Sequence, residues 1–345
     1  MMKQKMVMCL LAGVLVLGIG GCGTQEVEAP EVENVETAEE EPVPEETAEE
    51  EGDEQEKTDA EDQLKEVPTV DDAAESGKTE PEETEAASAP VVYEDGGQIT
   101  LDPSWTYADH SKINSGAAVL YKAAENRKEI VVGVNAGHGT SGGTKVKTLC
   151  HPDGSAKVTG GTTAAGATEA VAVSSGMTFN DGTPESSVTL RMAQILKEKL
   201  LAAGYDVLML RDGDDVQLDN VARTVICNNA ADCHIALHWD GDGLNYDKGC
   251  FYISVPDGLK SMEPVASHWS EHNALGSALV EGLRAQGAKI NGGGSMSIDL
   301  TQTSYSTVPS VDMELGNACS DHSDSALELL GDGLVQGVNS YFGQS

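Results

Sequence analysis

The 345 residues include 58 acidic and 21 basic side chains, for a net charge of −37. So acidic a chain is repelled by phosphate backbones, which excludes nucleic acid as a partner; seven cysteines without a C-x-x-C pair argue against a disulfide scaffold or a structural zinc knuckle. The charge is concentrated between residues 26 and 95, where 29 acidic residues face only Lys57, Lys65 and Lys78, and the remainder is long enough to bury one large core.

At the N-terminus, Lys3 and Lys5 precede an apolar run from Met6 to Ile19, and small residues then lead to Cys22 in "IGGC". A basic start followed by an apolar run too short to span a bilayer as a mature helix reads as an export signal. Segment 1–22 resembles a bacterial lipoprotein signal. That resemblance implies a lipidated Cys22 that becomes the new N-terminus, a membrane anchor, and a position outside the cell membrane facing the wall. An ordinary signal peptide cleaved nearby is the other reading. Segment 23–95 has too few large apolar residues to offset its ordering entropy and is expected to be a disordered acidic tether. A flexible coil of about 70 residues spans roughly 45 Å, and self-repulsion extends it further.

Residues 96–345 are expected to form one folded domain. The β-branched run 129–137, "EIVVGVNAG", ends in glycine as a buried strand should. In "KVKTLCHPDGSAKVT" the Pro-Asp-Gly turn signal lies between two alternating arms, which predicts a hairpin. A helix follows, with Thr183 as N-cap, Pro184 as first residue, Gly204 as stop, and Val188, Met192, Leu196 and Leu200 as its apolar stripe. The strand "YDVLML" and a helix near 216–229 come next, then the strands "CHIALHW" and "GCFYISV". A helix near 273–286, the strand "PSVDMEL" and a closing helix at 325–342 complete the chain. This alternation predicts an α/β three-layer sandwich, a mostly parallel central sheet flanked by helices, with ligands outside the carboxyl ends of the strands.

Three of those strands end in side chains suited to chemistry: His138, His238 and Glu314. A fourth candidate, Glu185, opens a helix that begins on the same edge. Two histidines and a carboxylate form a zinc-hydrolase ligand set with one position left for water, and a further carboxylate can move protons. His138 is isolated between glycines because its partners come from other strands.

The segments "NAGHG", "PESSVTLRMAQILKEKLLAAGYDVLMLRDGD", "ADCHIALHWDGD" and "PSVDMELG", in this order, resemble the motifs of zinc-dependent N-acetylmuramoyl-L-alanine amidases, which cut bacterial peptidoglycan. The resemblance implies zinc held by His138, Glu185 and His238, Glu314 as the catalytic carboxylate, and peptidoglycan as the substrate. It also marks departures. The connection 139–184 between the first two ligands is much longer than usual, and "WDGD" and Asp312 replace apolar or small residues. Insert 139–184 is expected to form a mobile rim or lid over the cleft.

Competing readings are weighed against these. His234 shares a strand face with His238, but about 13 Å of strand separates them, which places His234 behind the site. "HWSEH" from His268 to His272 fits the inverted zincin pattern, with Glu271 as base, and otherwise reads as a polar helix start. Trp105, Trp239 and Trp269 could stack on sugars, although packing is the commoner use. Cys150, Cys227, Cys233, Cys250 and Cys319 have no spacing that dictates pairing. A non-enzymatic wall-binding lipoprotein that has kept the fold is the third alternative.

Overall fold

The computed structural model describes residues 93–344. The export signal with Cys22, and the acidic tether up to residue 92, lie outside the described residues. Among those described, no helix is long and apolar enough to cross a membrane.

In chain order the elements are β1 (Gly97–Ile99), β2 (Ala118–Tyr121), β3 (Val131–Ala136), β4 (Lys147–Leu149), β5 (Glu169–Val171), α1 (Glu185–Ala202), β6 (Asp206–Met209), α2 (Asn220–Ala230), β7 (Cys233–Asp240), β8 (Cys250–Ser254), α3 (Val265–Ala285), β9 (Ile290–Ser297), α4 (Thr301–Tyr305), β10 (Ser310–Asn317) and α5 (Asp324–Tyr341). Eight strands form one sheet in the order β1-β2-β6-β3-β7-β10-β8-β9. Its central strands β6, β3, β7 and β10 are parallel, β2 and β8 join them antiparallel, and β9 runs parallel to β8.

Strand alternation sorts the side chains into two layers. Val132, Val134, Ile235, Leu237, Val311 and Met313 pack with the apolar faces of α1, α3 and α5. Leu208 and Leu210 point the other way, into a cluster with Ile99, Leu120 and Ile226 beneath α2. Both faces are covered, as the near-continuous apolar runs of the central strands require. The odd-even rule also sends His238, Asp312 and Glu314 to the face opposite Leu237 and Met313, where they collect near the strand ends.

Several expectations change. In α1 the stripe Val188, Met192, Leu196 and Leu200 is fully buried, and Gly204 adopts φ 89° just past the helix. The N-cap, however, is Pro184 with no side-chain cap, so Glu185 is the first helical residue. Its carboxylate turns into the site instead of stabilising the helix end. The Pro-Asp-Gly turn forms, with Gly154 N–H donating to His151 O at 3.1 Å, but its two arms do not pair. β4 pairs with β5 at 169–171, because residues after the turn are drawn to Asp299 in the loop after β9. Helix α3 starts at Val265, well before 273, so "HWSEH" lies inside it. The strands β1, β2 and β9 and the short α4 have no counterpart in the sequence reading. β9, "INGGGSMS", is hidden by three consecutive glycines that read as loop. The five described cysteines are all unpaired, and all but Cys319 are buried.

Candidate metal centre

Beyond β3 the ladder continues for one residue, with Gly137 N–H donating to Leu237 O at 3.1 Å. The chain then turns through left-handed geometry at His138 (φ 65°) and Gly139 (φ 70°). A β-carbon on Gly137 would stand 2.3 Å from the His238 ring, so glycine is what lets the two histidines meet. The left-handed histidine is held from below by two buried arginines. Arg223 donates to Ala136 O at 3.0 Å, His138 O at 2.7 Å and Asn135 Oδ1 at 2.9 Å. Arg211 donates to Ala136 O at 3.2 Å and Gly137 O at 3.0 Å. Three successive carbonyls thus accept from guanidinium groups, which fixes the loop that carries His138. Burial lowers the Arg223 pKa to about 9, with the Arg211 charge adding to the effect, and burial lowers Arg211 to about 10. Both stay charged near neutrality, and the sequence reading singled out neither.

Around this loop three donor atoms converge. His138 Nε2 lies 2.9 Å from Glu185 Oε1, and His238 Nδ1 lies 3.0 Å from His138 Nε2 and 3.1 Å from Glu185 Oε1. It is the only such group of three among the described residues, with all its donor atoms within 4.8 Å of one another. A tetrahedral ion with bonds near 2.0–2.1 Å needs donors about 3.3 Å apart. The observed spacing meets that with a small outward movement of the rings, so the residues fit such an ion.

Neighbours orient each donor. His138 Nδ1 donates to Ser174 O at 2.9 Å, with Ser174 Oγ at 3.1 Å, which leaves Nε2 as the free acceptor. Glu185 accepts from Met177 N–H at 2.8 Å and Trp239 N–H at 3.0 Å. Burial alone would raise the Glu185 pKa, but hydrogen bonds and charge from both histidines hold it well below the usual carboxylate range. For His238 burial alone would lower the pKa, yet Asp312, Glu185 and Glu314 together raise it to about 10. Ser174 and Met177 belong to the insert, so the long connection that separates the ligands in sequence also braces them.

Asp312 and Glu314 stand on β10 beside β7, with Glu314 in register with His238. Asp312 Oδ2 is 4.0 Å from His238 Nε2, the ring nitrogen facing away from the donor cluster. Asp312 Oδ1 and Glu314 Oε2 are buried without a hydrogen-bond partner. Burial is the main cause that raises the proton affinity of both. The neighbouring Asp312 charge raises Glu314 further, and the Glu185 charge acts likewise on Asp312.

The rival residues fall elsewhere. His234 is fully buried behind the site, its Nε2 3.1 Å from Asn135 Nδ2. His272 points inward, where its Nδ1 accepts from Ser310 N–H at 3.0 Å. His268 lies 3.4 Å from Glu271 on the same helix, and with His272 it forms no donor cluster. The inverted zincin reading is therefore set aside, because packing already uses His272. Trp239 lies in the core against Phe179, and Trp269 lies under Lys260. In "WDGD", Asp240 and Asp242 pair with Lys248, and Asp242 accepts from Asn317 Nδ2 at 3.1 Å.

Residues 132–329 match the N-acetylmuramoyl-L-alanine amidase family. Among solved structures, the chain is similar to an N-acetylmuramyl-L-alanine amidase from Mycobacterium smegmatis, at 20% identity over 64% of this chain and 99% of that one, TM-score 0.52. It is also similar to the apo form of one from Mycobacterium abscessus, at 21% identity over 62% and 99%, TM-score 0.50. At these identities the likeness is one of fold. No curated protein sequence matches the chain.

Proposed function

This chain belongs to the N-acetylmuramoyl-L-alanine amidase family of bacterial cell-wall hydrolases, and we propose that it cleaves peptidoglycan with zinc held by His138, Glu185 and His238 and with Glu314 as the proton-transferring group. The bond cut is the amide between the lactyl group of N-acetylmuramic acid and L-alanine. The convergence of the three donor atoms at the end of the cleft-lining strands supports this assignment of roles.

Zinc bound there supplies Lewis acidity toward the amide carbonyl and an acidified attacking water. The protein's own groups do the rest. Glu185, ionised and held by two backbone N–H groups, contributes one negative charge and does not swing. Glu314 takes a proton from the attacking water and delivers it to the L-alanine nitrogen as the C–N bond breaks. Its raised proton affinity, caused by burial and by Asp312, suits a group that must first accept that proton and then give it up.

For the rest of the chain, the export signal and Cys22 support a lipid anchor at the outer face of the cell membrane. The acidic tether supports a catalytic domain held away from the bilayer, toward the wall.

Digestion of purified peptidoglycan by the domain from residue 96 onward tests the reading. The expected product is stem peptide with newly exposed L-alanine amino groups, detected by amine labelling and mass spectrometry. New reducing sugar ends, or new amino groups only within the stem, would overturn it.

A further inference from the structure

The middle of insert 139–184, after the turn at His151, is fastened to the rest of the domain at a buried carboxylate. Asp299, in the turn between β9 and α4, has no exposed surface, and neither does His151 of the insert. His151 Nε2 lies 3.0 Å from both oxygens of Asp299, while its Nδ1 lies 2.8 Å from Ser155 Oγ. Val158 N–H donates to Asp299 Oδ2 at 2.7 Å, and Asp299 N–H donates to Thr159 Oγ1 at 2.8 Å. The Lys157 ammonium donates to the Asp299 carbonyl oxygen and stands 3.7 Å from Oδ1. Burial alone would raise the Asp299 pKa, but the bonds from His151 and Val158 and the Lys157 charge bring it below its ordinary value. Breaking one partner of such a buried group leaves the others unpaired, so the attachment is stiff.

From this base a loop projects. Its neck is closed by Lys157 N–H donating to Ala167 O at 2.9 Å and Gly166 N–H donating to Lys157 O at 2.8 Å. Between them run Val158 to Ala165, a stretch of glycine, threonine and alanine with mostly exposed residues. The loop borders the same cavity of about 620 Å³ that contains the metal-ligand set: Gly161, Thr162 and Thr163 line it together with Thr301 and Gln302. That volume holds much more than one amide bond. These residues make no hydrogen bond to the ligand set; apart from the imidazoles of His138 and His238, which belong to that set, the one aromatic residue lining the cavity is Trp239, whose ring is committed to the core. Without a stacking platform the wall suits peptide, recognised through hydroxyls and backbone amides, better than sugar.

Building on the amidase reading, we propose that loop 158–166, pinned at Asp299, is a fixed specificity wall that binds the stem peptide beyond L-alanine. It is not a lid: the buried attachment holds it in place, and selection occurs by what fits between it and α4.

The test uses two substrates, N-acetylmuramoyl-L-alanine and an N-acetylmuramoyl pentapeptide, and the full chain with zinc. In one variant residues 160–164 are shortened to two glycines, which keeps Lys157, Thr159 and the neck. The other is Asp299→Asn, which loosens the base. Loss of the wall should reduce kcat/KM on the pentapeptide about tenfold or more, chiefly through KM, and leave the short substrate within about twofold. Equal losses on both substrates would mark the loop as merely structural and overturn the proposal, as would no change on either. Wild-type protein inactive on both would instead overturn the amidase reading and this proposal with it. An active enzyme whose stem preference ignores the loop defeats the proposal alone.

Discussion

Nε2 of His238 stands 4.0 Å from Oδ2 of Asp312, while Nδ1 of the same ring stands 3.1 Å from Oε1 of Glu185. The imidazole thus lies between a carboxylate behind it and the donor cluster in front. Asp312 and Glu314, two apart on one strand face, are divided by this ring: Asp312 backs it, and Glu314 lies beside it one pleat nearer the strand end.

From this division, Glu314→Gln should keep the fold and the metal but lose about 10²-fold or more in kcat, the usual worth of a general base. Asp312→Asn should cost less and mainly displace the pH profile, because its carboxylate acts through His238. Steady-state kinetics across pH on both variants checks this. An inactive Asp312→Asn beside an active Glu314→Gln would exchange the two roles.

Metal uptake should be coupled to protons. In the metal-free protein the His238 pKa is raised from 6.5 to about 10; burial opposes the rise, and Asp312 and Glu185 more than reverse it. Its contribution to stability is therefore complete below pH 6.5 and is lost as pH rises through about 10. Glu185 runs the other way: its pKa falls below 4.5, so its contribution is present above 4.5 and is lost only in strong acid. Zinc requires the unprotonated ring, so near neutral pH each zinc bound should expel about one proton, and apparent affinity should rise about tenfold per pH unit. Calorimetry in buffers of different ionisation enthalpy measures the release. Zinc binding without it would contradict His238 as a ligand.

Gly176 gives a further handle on the centre. A β-carbon there would lie 2.7 Å from His138 Cδ2 and 2.8 Å from Glu185 Oε2, on a backbone with φ 81°. Gly176→Ala should lower zinc affinity by about tenfold or more through displaced ligands, while far-ultraviolet circular dichroism stays that of the parent. Metal titration with a competing chelator reads the change. Unaltered affinity would mean that the insert does not brace the ligand set.

At the other end of the chain, Cys22→Ala should leave the precursor uncleaved or released, and unlabelled by a fatty-acid probe. Normal processing with unchanged membrane association would remove the lipid anchor from the proposal.

The sequence by itself determined a good deal. The α1 stripe, the central strands and their alternation with helices follow from periodicities of 3.6 and 2, which are local properties. The positions of His138, Glu185, His238 and Glu314 at strand and helix ends were legible for the same reason, and a parallel sheet puts such ends on one edge. The outer strands at the two ends of the sheet were not. β1 and β2 are short, and β9 contains three glycines, so their pairing comes from the neighbouring strand and not from their own residues.

Only the tertiary structure decided how the centre is held. Arg211 and Arg223 read in sequence as ordinary helix and loop residues. Their burial, and the three carbonyls they hold, exist only once α2 and the loop after β6 lie across the end of β3. The turn at His151 was visible, but not its attachment to Asp299 across 148 positions of chain, which stands where the expected hairpin would pair. Local signals fix where a chain can turn; a buried charge takes whatever partner the whole fold brings within reach, because leaving it unpaired costs more than giving up a local strand pair.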